Sequence, residues 1–388
     1  MKKRISNQII KALSKTLSTK NCSLHEPWFD RSEIKYLSKA IKTKSVSTYG
    51  KETEIFENKI KKYTGSKYAY CTINGTSALH LSLYLLGINS QSEVLIPALN
   101  YIASANATLY LGGVPHFIDV EEKTLGPDPD KLNLYLKKNA KIKNGICFNK
   151  KTNRKIKVLI ITHIFGHPSN LDELIKICKK YKIKILEDAA EGLGSFYKKK
   201  HVGTFGTIGI LSFNGNKIIT TGGGGAVLTN SKVIGKKIET IYKNSRVSHK
   251  WEYKFNQLGF NYKMPSINAH LGIAQIKKIN KFLKLKRRLF KNYKNSFKGL
   301  NSIKIFEEPK NCKSNYWLQA LVLNKPSLKL QKYILEESNK KGFGTRPVWS
   351  LLNKNKHLKK FPSMNLKNAN NLEKRIINLP SSPFLGKI

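Results

Sequence analysis

Ser212-Phe213-Asn214-Gly215-Asn216-Lys217 runs into Ile218-Ile219-Thr220-Thr221 and then four glycines, Gly222 to Gly225. A lysine set among residues this small, polar and glycine-rich belongs neither to an ordinary helix nor to a core strand. Upstream, Asp188 closes the apolar run Ile185-Leu186-Glu187 and is followed by Ala189-Ala190-Glu191. An amine beside a glycine turn can close a Schiff base on an aldehyde. A carboxylate at a strand end, with small neighbours, can keep a pyridine nitrogen protonated. Together these two groups are what a pyridoxal phosphate site requires, with Lys217 and Asp188 as its catalytic residues.

A phosphate needs its own seat. Asn74-Gly75-Thr76-Ser77-Ala78-Leu79 puts a glycine turn and two hydroxyls at the start of a helix, where free N–H groups and the helix dipole favour an anion. The plain alternative is an N-cap made by Thr76 or Ser77. Ser212 offers a further donor to phosphate. Tyr101, after Pro97 and Asn100, could stack on a flat ring, or could simply be a core aromatic. Asp188 could equally cap a helix. The glycine run is no P-loop, because no Gly-Lys-Ser/Thr ends it and the strand Ala226 to Thr229 follows. Gly203, Gly206 and Gly209 do not make a dinucleotide fingerprint.

These residues need elements to position them. The spacing from Ser32 to Ile60 predicts two helices broken at Ser47-Thr48-Tyr49-Gly50. A strand over Lys67–Ile73 precedes a helix from Ala78 to about Leu86. Strands at Glu93–Pro97, Val114–Asp119, Leu159–Thr162 and Ile183–Glu187 alternate with helices at Ile102–Leu111 and Leu171–Tyr181. The alternation implies a mostly parallel sheet sandwiched by helices, an α/β fold. Ligands in such sheets bind beyond the strands' carboxyl ends, where Thr76, Asn100, His163 and Asp188 fall. A polar insertion spans Tyr135 to Lys157, with its turn at Asn149-Lys150-Lys151-Thr152-Asn153. After Pro265, Ile267 to Leu289 predicts one long amphipathic helix. The expected organisation is a basic extension at 1–21, a large cofactor-binding domain at 22–264, and at 265–388 a connecting helix with a smaller C-terminal α+β domain.

The chain has 388 residues, 40% hydrophobic, enough for a sizeable core. The formal net charge of +47 invites a nucleic-acid partner. Only eight of the 71 basic residues are arginine, however, and the lysines are spread along the whole chain. That fits a solvated lysine surface better than a phosphate-reading one, with no nucleic-acid role. No run reaches the length of a membrane span. In the first stretch, Ile5, Ile9, Ile10, Leu13 and Leu17 recur at helical spacing, which fits an extension docked on its own domain better than a targeting peptide or membrane-surface helix. The five cysteines are scattered without a CxxC pair, as expected of thiols in a reducing, cytoplasmic setting, and their spacing supports no metal site.

The joint order of these motifs resembles the sugar aminotransferases of the DegT/DnrJ/EryC1/StrS family, with the aspartate-aminotransferase-like fold (fold type I) of pyridoxal phosphate enzymes. The likeness runs from about Ser23 to the C-terminus. It includes Thr48-Tyr49-Gly50-Lys51, Asn74-Gly75-Thr76, His163-Ile-Phe-Gly166-His-Pro168, Glu187 to Glu191, Ser212 to Lys217, Gly259 to Met264, Thr345 to Trp349 and Asn378-Leu379-Pro380. The resemblance implies that Thr76, Ser77 and Ser212 bind the phosphate and Tyr101 stacks on the ring. Asp188 would pair with the pyridine nitrogen, Glu191 would lie near the ring hydroxyl where many relatives have glutamine, and Lys217 would carry the Schiff base. Asn261 would reach the phosphate of the neighbouring subunit, making a homodimer with shared active sites. Asn100 stands where threonine or serine is common, and Lys263 where arginine is common.

Within the family, the stretch Ser212 to Gly225 and the inserted Asn149 to Ile156 segment are similar to 4-aminotransferases of legionaminic acid and bacillosamine synthesis. The reaction that the resemblance implies is a ping-pong transamination with glutamate as donor, onto C4 of a UDP-linked 4-keto-6-deoxy-N-acetylhexosamine for cell-surface glycans. The rival enzyme readings are a perosamine-type enzyme using a GDP-linked sugar and a 3-keto-sugar aminotransferase. The rival outside enzymes is a basic RNA-binding or regulatory protein.

Overall fold

The computed structural model describes residues 2–17, 21–247 and 249–387. Seven strands, β1 (Tyr68–Thr72), β2 (Ser92–Pro97), β3 (Val114–Ile118), β4 (Ala140–Lys143), β5 (Ile146–Asn149), β6 (Lys155–Thr162) and β7 (Lys184–Asp188), join Ile208–Ser212 and Gly225–Thr229 in one nine-stranded sheet. From one edge its order is β1, Gly225–Thr229, Ile208–Ser212, β7, β6, β2, β3. Every pairing from Ile208–Ser212 across to β3 is parallel. Gly225–Thr229 runs antiparallel to both its neighbours. Every residue of β2, β3 and Ile208–Ser212 is buried, as helices on both faces require.

Twelve α-helices are described. Helix α1 spans Lys2–Thr16, α2 Arg31–Lys42, α3 Glu52–Thr64, α4 Gly75–Leu85, α5 Ala103–Tyr110, α6 Pro129–Asn139, α7 Leu171–Tyr181 and α8 Lys232–Ile241. Helix α9 spans Ser266–Ile276, α10 Ile279–Ser296, α11 Leu328–Lys340 and α12 Lys367–Glu373. The start of α2 has a capping box, in which Asp30 and Glu33 each accept from the other's end of the first turn. Helix α4 is apolar almost all round, with Ala78, Leu79, Leu81 and Leu83 buried. It therefore lies inside the molecule rather than on it.

The one long helix expected from Ile267 to Leu289 is two helices, α9 and α10, which break at Lys277-Lys278. Lys278 is the N-cap of α10 (φ −102°, ψ 0°), and its ammonium pairs with Asp30 at 3.1 Å and with Glu33. Gln275 just before the break donates to Trp28 O at 3.0 Å and to Glu33 at 2.6 Å. Tertiary polar contacts thus override the amphipathic period. The polar insertion contains a β4–β5 hairpin, and the turn expected at 149–153 leads from β5 into β6. Its anchor is the buried Glu93 of β2, which accepts from Asn149 Nδ2 at 2.9 Å and from Thr152 Oγ1 and meets His116 Nδ1 at 2.8 Å.

A second, four-stranded antiparallel sheet has the order Ile303–Ile305, Gln319–Leu323, Ile376–Leu379, Arg346–Pro347. Its core cluster draws Leu289 and Tyr293 from α10, Ile334 from α11, and Ile9, Ala12 and Leu13 from α1. The first segment of the chain is thus a helix that buries its apolar stripe against α10 and α11 and leaves Lys3, Arg4, Lys11 and Lys15 exposed. Among the described residues no helix is long and apolar enough to cross a membrane.

Candidate active site

Thr162, Asp188 and Ser212 end three adjacent parallel strands, and Asn100 lies three residues beyond β2. With the start of α4 they enclose a cavity of about 350 Å³. Thr76, Tyr101, Asp188, Glu191, Ser212 and Lys217 all line it, so six of the eight expected site residues share one space. Ser77 lies one residue deeper in α4 and is buried beside the lining rather than in it. Asn261 is not part of this cavity. It is exposed and lines a different one, of about 440 Å³, with Tyr49, Arg246 and Lys263.

The N-cap of α4 falls on Asn74, not on Thr76 or Ser77. Asn74 is extended (φ −165°) and its Oδ1 accepts the Ser77 N–H at 2.7 Å. That frees both hydroxyls from capping. Gly75 and Thr76, whose N–H groups have no acceptor earlier in the helix, line the cavity. The helix start sits tightly on the neighbouring strand: a Cβ on Gly225 would lie 2.6 Å from the Asn74 carbonyl carbon. The last glycine of the run is there for close approach of two backbones, bringing Ser212 alongside Gly75. Thr221 N and Phe213 N bond Phe213 O and Gly224 O, closing the loop that carries Lys217.

Asp188 is buried. Its Oδ2 accepts from Ser104 Oγ at 3.0 Å and its Oδ1 from Ala190 N at 3.2 Å. Burial pushes its pKa above the ordinary value, against the hydrogen bonds and the nearby Lys217 and His163. Lys217 Nζ lies 3.5 Å from Glu191 Oε1. Burial lowers the Lys217 pKa while Glu191 and Asp188 oppose the fall. Burial also raises Glu191 to about 7, the Lys217 charge and the Phe165 N–H working against it. Tyr101 is 55% exposed at the rim, its ring 6.2 Å edge-on from Trp349.

Four residues escaped the sequence reading of roles. Asn100 Nδ2 donates to Thr162 Oγ1 at 3.0 Å and to Ser104 Oγ at 3.2 Å, and Ser104 in turn holds Asp188. The signal for Ser104 was its position one helical turn beyond Asn100. Trp317 and Trp349 both line the cavity, and Trp317 carries Lys217 Nζ at 3.7 Å from its ring centroid. Trp349 closes the Thr345 to Trp349 motif of the family resemblance, which gave it no role, and Trp317 offered only an aromatic residue beside a short strand, which reads equally well as core.

A helix start with free N–H groups and a serine beside it suits a phosphate arm, a buried acid held above its ordinary pKa suits a pyridinium, and a buried amine suits an aldehyde. On this fold, such a site defines a pyridoxal phosphate enzyme of the aspartate-aminotransferase-like type. The chain is 31% identical over 367 residues to a GDP-perosamine synthase of Escherichia coli O157:H7, covering 94% of each. It is 32% identical over 357 residues to a UDP-4-amino-4,6-dideoxy-N-acetyl-beta-L-altrosamine transaminase of Campylobacter jejuni, covering 90% of each. Among solved structures it superposes on Helicobacter pylori PseC, an aminotransferase involved in the biosynthesis of pseudoaminic acid, with a TM-score of 0.83 at 24% identity, over 93% of this chain and 94% of that one. Residues 27–387 match the model of the DegT/DnrJ/EryC1/StrS aminotransferase family, and the chain belongs to that family. Its cofactor is pyridoxal phosphate, as throughout the family's aminotransferases.

Proposed function

We propose that this enzyme transfers an amino group from glutamate to C4 of a UDP-linked 4-keto-6-deoxy-N-acetylhexosamine, in the cytoplasm, for cell-surface glycan biosynthesis. The observation that carries the reading is a buried amine, Lys217 Nζ, sharing one cavity with two buried carboxylates of raised pKa. Pyridoxal phosphate supplies, when bound, an aldehyde that links to amines and a protonated ring that draws electrons from the neighbouring carbon. Thr76, Ser77 and Ser212 hold its phosphate, Tyr101 covers its ring and Glu191 meets its hydroxyl. Asp188 retains the proton on the ring nitrogen, gaining in that contact the cation that its burial lacks. Lys217 Nζ, lowered by burial, can take a proton from the donor's Cα near neutral pH and deliver it elsewhere. Asn261 serves the site of a second copy in a homodimer, which accounts for its place outside the cavity it would serve.

Lys217→Ala should abolish both the visible absorption of the purified enzyme and its turnover. A Lys217→Ala enzyme that keeps either one refutes the assignment. A second substrate reading has its own support, since a GDP-perosamine synthase matches over nearly the whole chain. Turnover of UDP- and GDP-linked 4-keto sugars side by side, with products weighed by mass spectrometry, decides between them.

A further inference from the structure

Lys217 Nζ sits between two side chains that one short segment holds in place. On one side is the Glu191 carboxylate at 3.5 Å, and on the other the Trp317 ring centroid at 3.7 Å. An ammonium over an indole face is attracted by the ring quadrupole, most strongly where water is excluded. Trp317 is fixed at three points. Its N–H donates to Asn315 Oδ1 at 2.7 Å, and its carbonyl accepts from the buried Lys286 Nζ at 2.9 Å. Its indole N–H donates at 2.6 Å to the carbonyl of Asn216, the residue before Lys217.

The same segment governs the carboxylate. Asn315 Nδ2 donates to the backbone carbonyls of Glu191 at 2.7 Å and Leu193 at 2.9 Å, and Asn315 N–H donates to Ser195 Oγ at 3.0 Å. The far oxygen of Glu191 accepts the Phe165 N–H at 2.7 Å, with Phe165 held at φ 56°. Tyr316, between the two anchors, is itself left-handed at φ 49°. Two non-glycine residues in that region mark an arrangement that the surrounding contacts impose.

We infer that Asn315-Tyr316-Trp317 is a clamp that parks the Lys217 ammonium on the Trp317 face beside Glu191 whenever the amine is unbonded, which makes Trp317 a positioning residue for the proton transfers of Lys217. The inference rests on the role proposed above for Lys217. An indole face favours the charged amine yet cannot accept its proton, so the ammonium is held without being quenched. The other charged or titratable groups about Lys217 are Glu191 and Asp188, which favour its charge, and His25, which burial and the charges of Lys286 and Lys217 keep uncharged. Lys286 beyond Trp317 is itself pushed down by burial. Loss of the ring should therefore lower the Lys217 pKa, and loss of the Glu191 carboxylate should lower it separately.

The experiment is competitive acetylation of the full-length protein freed of cofactor, with the Lys217 peptide quantified by mass spectrometry across pH. Trp317→Leu should move the Lys217 midpoint down by about half to one unit, Trp317→Phe by less, and Trp317→Leu/Glu191→Gln by more than either single change. A Trp317→Leu midpoint equal to wild type overturns the clamp. If Trp317→Leu does not fold, the wild-type protein still decides. After reductive 13C-methylation, the resonance missing from Lys217→Arg should lie upfield of the other lysine methyls because of the indole ring current. A resonance within the common lysine envelope overturns the inference. Borohydride reduction of the loaded enzyme keeps the two ideas apart: failure to fix cofactor on Lys217 refutes the proposed function, whereas an unshifted midpoint with cofactor fixed refutes only the clamp.

Discussion

Glu187 and Asp188 are adjacent residues of one strand, both buried, and point to opposite faces of the sheet. Their surroundings differ in one respect. Glu187 accepts from His163 Nε2 at 3.1 Å, Gly203 N at 2.7 Å, and Phe205 N and Gly206 N at 2.6 Å each. Among the described residues Asp188 accepts only from Ser104 and Ala190. Burial pushes both upward, but for Glu187 the His163 and backbone donors outweigh it and hold the carboxylate below its ordinary range. For Asp188 burial prevails and the pKa rises. A buried acid whose lone pairs are filled by the protein builds the fold. One left with fewer donors keeps capacity for a further partner.

The largest effects should come from exchanging the two acids for their amides. Glu187→Gln leaves two of the four donors facing an NH₂ group, since each oxygen accepts two of them, and removes the charge that all of them stabilise, so we expect a loss of about 3–5 kcal/mol in chemical denaturation. Asp188→Asn should leave stability unchanged or slightly raised, because it removes a charge that burial disfavours. Its cost should appear in turnover, lowered by about 10²–10⁴-fold, the range of a single positioned proton-handling group. A Glu187→Gln protein as stable as wild type, or an Asp188→Asn enzyme with undiminished turnover, would erase the distinction between the two faces.

One side of this contrast was legible in the sequence, the site and not the satisfied Glu187. Lys217 stood out by its small, polar, glycine-rich neighbours, Asp188 became more than a possible helix cap only beside it, and the strand–helix alternation placed the strand-end acid at the ligand-binding end of the sheet. What remained hidden were partners supplied from distant stretches. Asn315 and Trp317 meet Glu191 and Lys217 only through tertiary folding, and no local period announces such contacts. The cap was misplaced by a few residues because Asn, Thr and Ser all cap, and only the extended Asn74 backbone selects among them. The break at Lys277-Lys278 was invisible for the same reason as the clamp, since the Asp30 and Glu33 that pair with Lys278 come from another part of the chain.

A smaller break in the comparison is available at Gly166, which serves the site rather than the sheet. It is left-handed at φ 86°, and a Cβ there would come 1.8 Å from Asn315 Oδ1. Its carbonyl also accepts from Ser195 Oγ at 2.6 Å and Ser314 Oγ at 2.9 Å. Gly166→Ala must strain the backbone and push Asn315 from the Glu191 carbonyl, with an expected loss of about 2–4 kcal/mol. Thermal unfolding and the Lys217 acetylation midpoint should both respond. If only stability changes, Asn315 is a strut for the core and not a link to Glu191.

The least effect should be a matter of slope. Glu191 rises from an ordinary 4.5 to about 7 in the fold, chiefly by burial. Between those values the folded protein binds the proton that the unfolded chain has released, so this group makes stability fall as pH rises through that window. Glu187 acts in the opposite sense. Its pKa is depressed, so its contribution is present above the ordinary carboxylate range and is lost as pH falls through the folded value. Glu191→Gln should therefore flatten the decline between about pH 4.5 and 7 and leave the acid limb intact. Urea midpoints at half-unit pH steps measure this directly. Unchanged slopes in Glu191→Gln would mean that the Lys217 charge, at 3.5 Å, already holds Glu191 ionised, and that the carboxylate beside the amine belongs with Glu187 among the satisfied acids.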